Sequence, residues 1–147
     1  MDERIAALVA AYGDGADGSA PTPAQWRRIL AEPRAAAPTL INFFKLRERA
    51  QYPAGSAHAT DPGSGEEAFG RYSAVSMPAL AKVGGRFLLV APFRSALVGD
   101  DEDWDLVAIG SYPDCDALLA LFEDAAYRDA FAHRSAACER QRVCVVG

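Results

Sequence analysis

Three stretches of this chain are apolar on both faces of a β-strand, and a chain of 147 residues has to hide both faces. Thr-Leu-Ile-Asn-Phe-Phe-Lys-Leu at 39–46 sets Leu40 and Phe44 against Ile41 and Phe43. Over 86–98, Phe87, Leu89, Ala91 and Phe93 alternate with Leu88 and Val90; over 104–112, Trp104, Leu106, Ala108 and Tyr112 alternate with Val107 and Ile109. A sheet with helices on one side and water on the other alternates apolar with polar residues instead. Leaving the second face wet forgoes roughly 1.5–3 kcal/mol per large side chain. Four or more such side chains make a patch larger than a monomer ordinarily exposes. The expected cover is a second copy, sheet against sheet about a two-fold axis. The alternative is that the N-terminal residues fold back over that face.

The elements around these strands give the architecture. Residues 2–12 read as a short helix with Ile5, Leu8 and Val9 on one face, followed by a flexible polar connector over 13–21. Thr22, Pro23 and Gln25 form a helix start with a capping box, and Trp26, Ile29 and Leu30 follow at helical spacing until Pro33. Residues 1–37 are thus an N-terminal helical extension, and 38–147 the main domain. There the strand 39–46 leads into a long polar loop, 47–63, of a length that commonly covers something. Ser64 and Glu67 form a second capping box, opening a helix that carries Pro78 and stops at Gly84-Gly85. The strands 86–98 and 104–112 are joined by an acidic hairpin loop, 99–103. Asp114 caps a helical region running to about Arg140, and 141–146 is the last strand. The order β-α-β-β-α-β is that of a ferredoxin-like α+β fold, a four-stranded antiparallel sheet with both helices on one face.

Several chemistries are excluded on composition and spacing. The formal net charge of −5 and the lack of basic patches interleaved with aromatics argue against nucleic acid. No apolar run approaches the ~18 residues of a membrane span, and no apolar core follows a basic start, so a cytoplasmic protein without membrane contact is expected. Three widely spaced cysteines (Cys115, Cys138, Cys144) and two histidines in different segments (His58, His133) suit neither a disulfide framework nor a metal centre. The sequence Gly13-Asp-Gly15-Ala-Asp-Gly18 matches GxGxxG, but no strand precedes it and Ser-Ala-Pro follows it, so it reads as a linker. The acidic run 100–105 lacks the spacing and central glycine of a calcium loop and reads as a solvated hairpin tip. No cofactor is expected.

Residues 38–147 resemble the uncharacterised "domain of unknown function 1330" family of the dimeric α/β-barrel, ferredoxin-like superfamily. The matching residues are Ile41-Asn42-Phe43-Phe44-Lys45-Leu46, Arg71-Tyr72, Val83-Gly84-Gly85-Arg86, Trp104-Asp105, Tyr112-Pro113 and the series from Tyr127 to His133-Arg134. The resemblance implies a dimer whose two sheets form a barrel, with a pocket between sheet and helices in each subunit. Relatives in that superfamily include cofactor-free oxygenases, haem-binding enzymes, isomerases and ligand-binding domains, so the fold alone does not select an activity.

The candidate site residues are polar groups in apolar elements. Asn42 interrupts an apolar strand; it either lines the pocket or makes an internal hydrogen bond that sets register. Lys45 can neutralise an anionic substrate or end the strand in solvent. Tyr127 and Arg134 are seven apart and share a face of an unbroken helix. Tyr72 joins them from the first helix, and His133 is the candidate general base. The expectation is a homodimer that binds a small molecule at Asn42, Lys45, Tyr72, Tyr127 and Arg134, with His133 available for cofactor-free catalysis; an anionic or enolic group would suit Lys45, His133 and Arg134. A non-catalytic ligand-binding or protein-interaction module built on Trp26, Ile29 and Leu30 is the alternative. A haem protein with His133 as axial ligand is a third reading.

Overall fold

The computed structural model describes residues 2–147. The elements follow in the order α1 (Glu3–Tyr12), α2 (Pro23–Ala31), β1 (Thr39–Leu46), α3 (Gly65–Lys82), β2 (Arg86–Pro92), β3 (Leu106–Ser111), α4 (Cys115–Glu123), α5 (Ala125–Ala137) and β4 (Cys138–Val146). The strands pair antiparallel in the order β2-β3-β1-β4. Leu40 of β1 packs with Tyr72 and Leu80 of α3, Leu118 and Leu121 of α4, and Tyr127 and Phe131 of α5. All three helices therefore cover the same sheet face, which is the expected ferredoxin-like arrangement.

Short polar side chains start the helices where the sequence places them. Asp2 accepts from the backbone of Arg4 and Ile5, and both capping boxes, Thr22 with Gln25 and Ser64 with Glu67, are closed. The helix α3 continues through Pro78 and ends where Gly84 adopts φ +84°, a conformation that suits a residue without Cβ.

Several boundaries differ from the sequence reading. The strand expected over 86–98 ends at Pro92, and that expected over 104–112 begins at Leu106. The connecting loop is therefore 93–105 rather than 99–103. Pro92 has no N–H to extend the ladder. Trp104 leaves the strand to pack on Phe43, beneath the guanidinium of Arg140, so it does not share a face with Leu106 and Ala108. The helical region after Asp114 is two helices, because Asp124 adopts an extended conformation and caps α5 through the Tyr127 N–H at 2.9 Å. The region ends at Ala137, not Arg140, and β4 starts at Cys138.

A shift of side-chain phase in β2 matters more. Phe87 pairs with Gly110 but Leu89 with Ile109, so Leu88 is an extra, bulged residue. Past it the alternation inverts. Val90, opposite Ala108, joins Phe87 on the helix side, and Leu89 and Ala91 face away. The expected grouping of Phe87 with Leu89 and Ala91 is corrected accordingly; a one-residue slip moves every later side chain to the other face.

The N-terminal helices join the helix layer. Ile5, Leu8 and Trp26 form a core cluster with Leu119 of α4, Arg4 pairs with Glu123 at 2.7 Å, and the Tyr12 hydroxyl donates to the Phe122 carbonyl. They do not cover the opposite sheet face. There Ile41, Phe43, Val107 and Ile109 are partly exposed and Leu89 is 49% exposed. The connector 13–21, expected to be flexible, holds turns: Gly15 has φ +71°, and a Cβ there would meet the Ala20 carbonyl at 2.3 Å.

Candidate functional site

The sheet and helix layers do not close on each other. A cavity of about 780 Å3 lies between them, within the range of ligand sites. Its floor is open because β3 places only Ala108 and Gly110 at the middle of the sheet. Leu40, Asn42 and Phe44 of β1 complete the floor, and Tyr72, Ser76 and Leu80 of α3 with Tyr127 and Arg134 of α5 form the roof. Ser19, Pro21, Trp26 and Ile29 close the N-terminal side.

Arg134 organises the polar part. It is 7% exposed and lies over the rings of Phe44 (4.8 Å), Phe131 (5.1 Å) and Tyr72 (5.5 Å). Its Nη1 donates to the Tyr72 hydroxyl at 3.1 Å and its Nε to Gln141 Oε1 at 2.7 Å. The Tyr72 and Tyr127 hydroxyls share a hydrogen bond of 2.7 Å. Burial opposes the Arg134 charge, and the hydrogen bond to Tyr72 favours it; a guanidinium stays protonated in such a setting. Burial pushes the Tyr127 hydroxyl well above the usual phenol range, with Tyr72 next to it acting in the same direction. Burial likewise raises Tyr112 and raises the Cys138 thiol to about 11. These phenols and the thiol are neutral groups at neutral pH.

Asn42 points to this side, as expected if Leu40 and Phe44 face the helices. Both of its anticipated roles are present in part. Its Nδ2 donates to the Ala108 carbonyl at 2.9 Å, tying β1 to β3, and the residue lines the cavity. Its Oδ1 accepts no hydrogen bond among the described residues. Gln141 was missed by the sequence reading. It sits opposite Phe44 in the β1–β4 register, orders Arg134 and donates to the Ser19 carbonyl at 3.4 Å. Its alternation with Val143 and Val145 along the last strand is the signal that marks it as a polar residue in the inward phase.

Two expected site residues lie elsewhere. Lys45 pairs with Arg140 in the sheet register, and its Nζ contacts Asp103 at 3.1 Å and Asp105 at 3.4 Å. Those carboxylates raise its pKa, and it does not line the cavity. His133 precedes Arg134 on α5 but faces outward to the loop 47–63. Its Nδ1 is 2.7 Å from the Tyr52 hydroxyl, and its ring is 5.2 Å from that of His58. Arg71 donates to the Tyr52 hydroxyl and to the Pro62 carbonyl, both at 2.9 Å. Because Arg71 is a donor only, the Tyr52 O–H is free to donate to His133 Nδ1, which then accepts. Burial, His58 and Arg71 all lower the His133 pKa. The long loop thus straps α5: the Gln51 and Arg47 N–H groups cap the Ala136 and Ala137 carbonyls at 3.0 and 2.8 Å, which a helix end leaves without partners.

Among the described residues, no group of three or more His, Cys, Asp or Glu side chains could hold a metal ion. No helix among them is long and apolar enough to cross a membrane.

Fold and cavity together define a class, an α+β protein of ferredoxin-like topology with a ligand-sized hollow between sheet and helices. Within it the chain belongs to the family described as Domain of unknown function (DUF1330), whose model matches residues 57–147. It is similar to the methylated RPA0582 protein, at 33% identity over 86% of this chain and 91% of that one, with a TM-score of 0.77. A second structure of RPA0582, a protein of unknown function from Rhodopseudomonas palustris, aligns at 32% identity over 86% and 93% of the two chains, with a TM-score of 0.75. A protein of unknown function from Bacteroides fragilis NCTC 9343, described as dimeric with a ferredoxin-like fold, aligns at 16% identity over 75% and 94%, with a TM-score of 0.44. No curated protein matches the chain.

Proposed function

We propose that this protein binds a small molecule in the cavity between sheet and helices, and does so as a homodimer. The observation that carries the reading is Arg134, a charged side chain held 7% exposed at the wall of a hollow of about 780 Å3. A cavity serving only as packing slack would be apolar, because buried polar groups are costly without partners. Tyr72, Tyr127 and Gln141 order Arg134, and Asn42 Oδ1 is left to accept from a ligand.

Binding is favoured over catalysis by the placement of the titratable groups. His133, the anticipated base, faces the loop 47–63 rather than the cavity. Burial moves the Tyr112 and Tyr127 hydroxyls further above the usual phenol range, which makes them poorer bases. The reading as a protein-interaction module loses its motive, since Trp26 packs with Ile5, Leu8 and Leu119 of its own chain.

The dimer follows from the uncovered sheet face. The N-terminal helices lie on the other side, so Ile41, Phe43, Val107 and Ile109 stay partly exposed and Leu89 is exposed, with Phe93 and Trp104 packing only on Phe43 among them. A second copy supplies one through a two-fold interface that the same patch forms with itself. Native mass spectrometry of the purified protein reads both halves of the proposal. The expected spectrum shows twice the 15.7 kDa chain mass carrying an extra small mass that denaturation releases. Monomers with no added mass, from every preparation, overturn it.

A further inference from the structure

We propose that the ligand of the cavity is a monocarboxylate on an apolar body, its carboxylate set against the guanidinium of Arg134. The inference rests on the reading that the cavity holds a small molecule, and adds the chemical class.

The argument is one of unmatched charge. None of the ion pairs among the described residues includes Arg134. The charged residues that also border the cavity, Arg28, Glu32 and Arg142, are exposed and belong to its rim. Arg134 alone is buried. A buried cation ordinarily carries a paired anion, and none of the described residues provides one. Of the five N–H donors of a guanidinium, Arg134 spends two, on Tyr72 and Gln141. A carboxylate matches the geometry of the rest, since two oxygens meet two parallel N–H groups.

The same count limits the ligand's charge. One buried guanidinium balances one negative charge, and neither a lysine nor a second buried arginine lines the cavity. A phosphate dianion would enter with a charge left over. A neutral molecule would leave Arg134 as it stands. The rest of the ligand meets Leu40, Phe44, Phe87 and Leu80, with Ile29 at the N-terminal side, which is a setting for a hydrocarbon or aromatic body.

Isothermal titration of the full chain with three acids, 1-naphthylacetate, phenylacetate and decanoate, and with the uncharged amide of each, tests the class. At least one acid is expected to bind ten times or more tighter than its amide. In Arg134→Gln that ratio is expected to fall toward one while the amide affinity holds. Should the variant not fold, the wild-type ratio decides alone. Equal binding of acid and amide overturns the carboxylate class and leaves the cavity reading standing. Binding of none of the six compounds overturns both.

Discussion

His133 and Arg134 are adjacent in sequence and belong to different regions of the molecule. Arg134 faces inward, with Tyr72, Tyr127 and Gln141, and is 7% exposed at the wall of a cavity. His133 faces outward, with Tyr52, His58 and Arg71, beneath the strap formed by residues 47–63. Both regions are built from one arginine and a tyrosine hydroxyl that bridges to a third group. They differ in what surrounds them. The outer cluster is closed by the loop, whose Tyr52 stacks on His58 at 5.0 Å, and a hydrogen-bond acceptor meets the Arg71 side chain twice. The inner cluster borders the cavity and keeps a charge with no counter-charge among the described residues. A closed polar cluster serves to hold a loop in place; an open, charged one is suited to a ligand.

The largest expected effect bears on the floor of the inner region. Phe44 is 2% exposed beneath Arg134 and packs on Phe69 at 4.8 Å between ring centroids. Phe44→Ala is expected to cost about 3–5 kcal/mol in urea unfolding, at any protein concentration. Its neighbour Phe43 lies on the opposite face, so, if the proposed dimer forms there, the loss in Phe43→Ala is expected to grow as the protein is concentrated, because a dimer gains with concentration. Losses that are alike at all concentrations would remove the distinction between the two faces.

A smaller effect separates the two tyrosines. Tyr72→Phe leaves a buried guanidinium N–H and the Tyr127 hydroxyl short of a partner, an expected loss of about 1–3 kcal/mol. Tyr52→Phe breaks bonds that are half-buried, and water can replace them, so about 0.5–1.5 kcal/mol is expected. Chemical denaturation of both variants gives the order; a larger loss at Tyr52 would mean that the outer cluster, not the inner, is the sealed one.

The smallest effect is a pH dependence confined to the outer cluster. Folding lowers the His133 pKa, so as pH falls the unfolded chain takes up the proton first, near the usual imidazole value of about 6.5. Between that value and the lower folded pKa the unfolded state binds more protons, and stability decreases as pH decreases. Protonation at Nδ1 also ends its acceptance from Tyr52. Between pH 7 and pH 5, wild type is therefore expected to lose more stability than His133→Gln, with faster amide exchange across 47–63. Parallel losses in the two chains would show that His133 does not couple to the strap.

Much of the fold was legible in local chemistry. Asp2, Thr22 with Gln25, Ser64 with Glu67, and Asp114 each mark a helix start by a side chain that reaches its own backbone, and the strand 39–46 follows from its composition alone. The bulge at Leu88 was not legible, because nothing in Phe-Leu-Leu-Val distinguishes the residue left without a partner. Neither was the break at Asp124. An aspartate inside a helical run caps a new helix only if the chain must turn there to pack.

The sequence by itself determined the secondary elements, their order, and the presence of more apolar sheet than two helices can cover, since these depend on periodicity and on contacts within a few residues. It also named Asn42, Tyr72, Tyr127 and Arg134 as polar residues in apolar elements. Only the tertiary structure decided that these four meet at one cavity, that Lys45 is held by Asp103 and Asp105 on the other face, and that the two histidines lie together under a loop. Which groups meet depends on register, on the side of the sheet and on the packing of distant segments, and a charge has a partner or lacks one only after those are set.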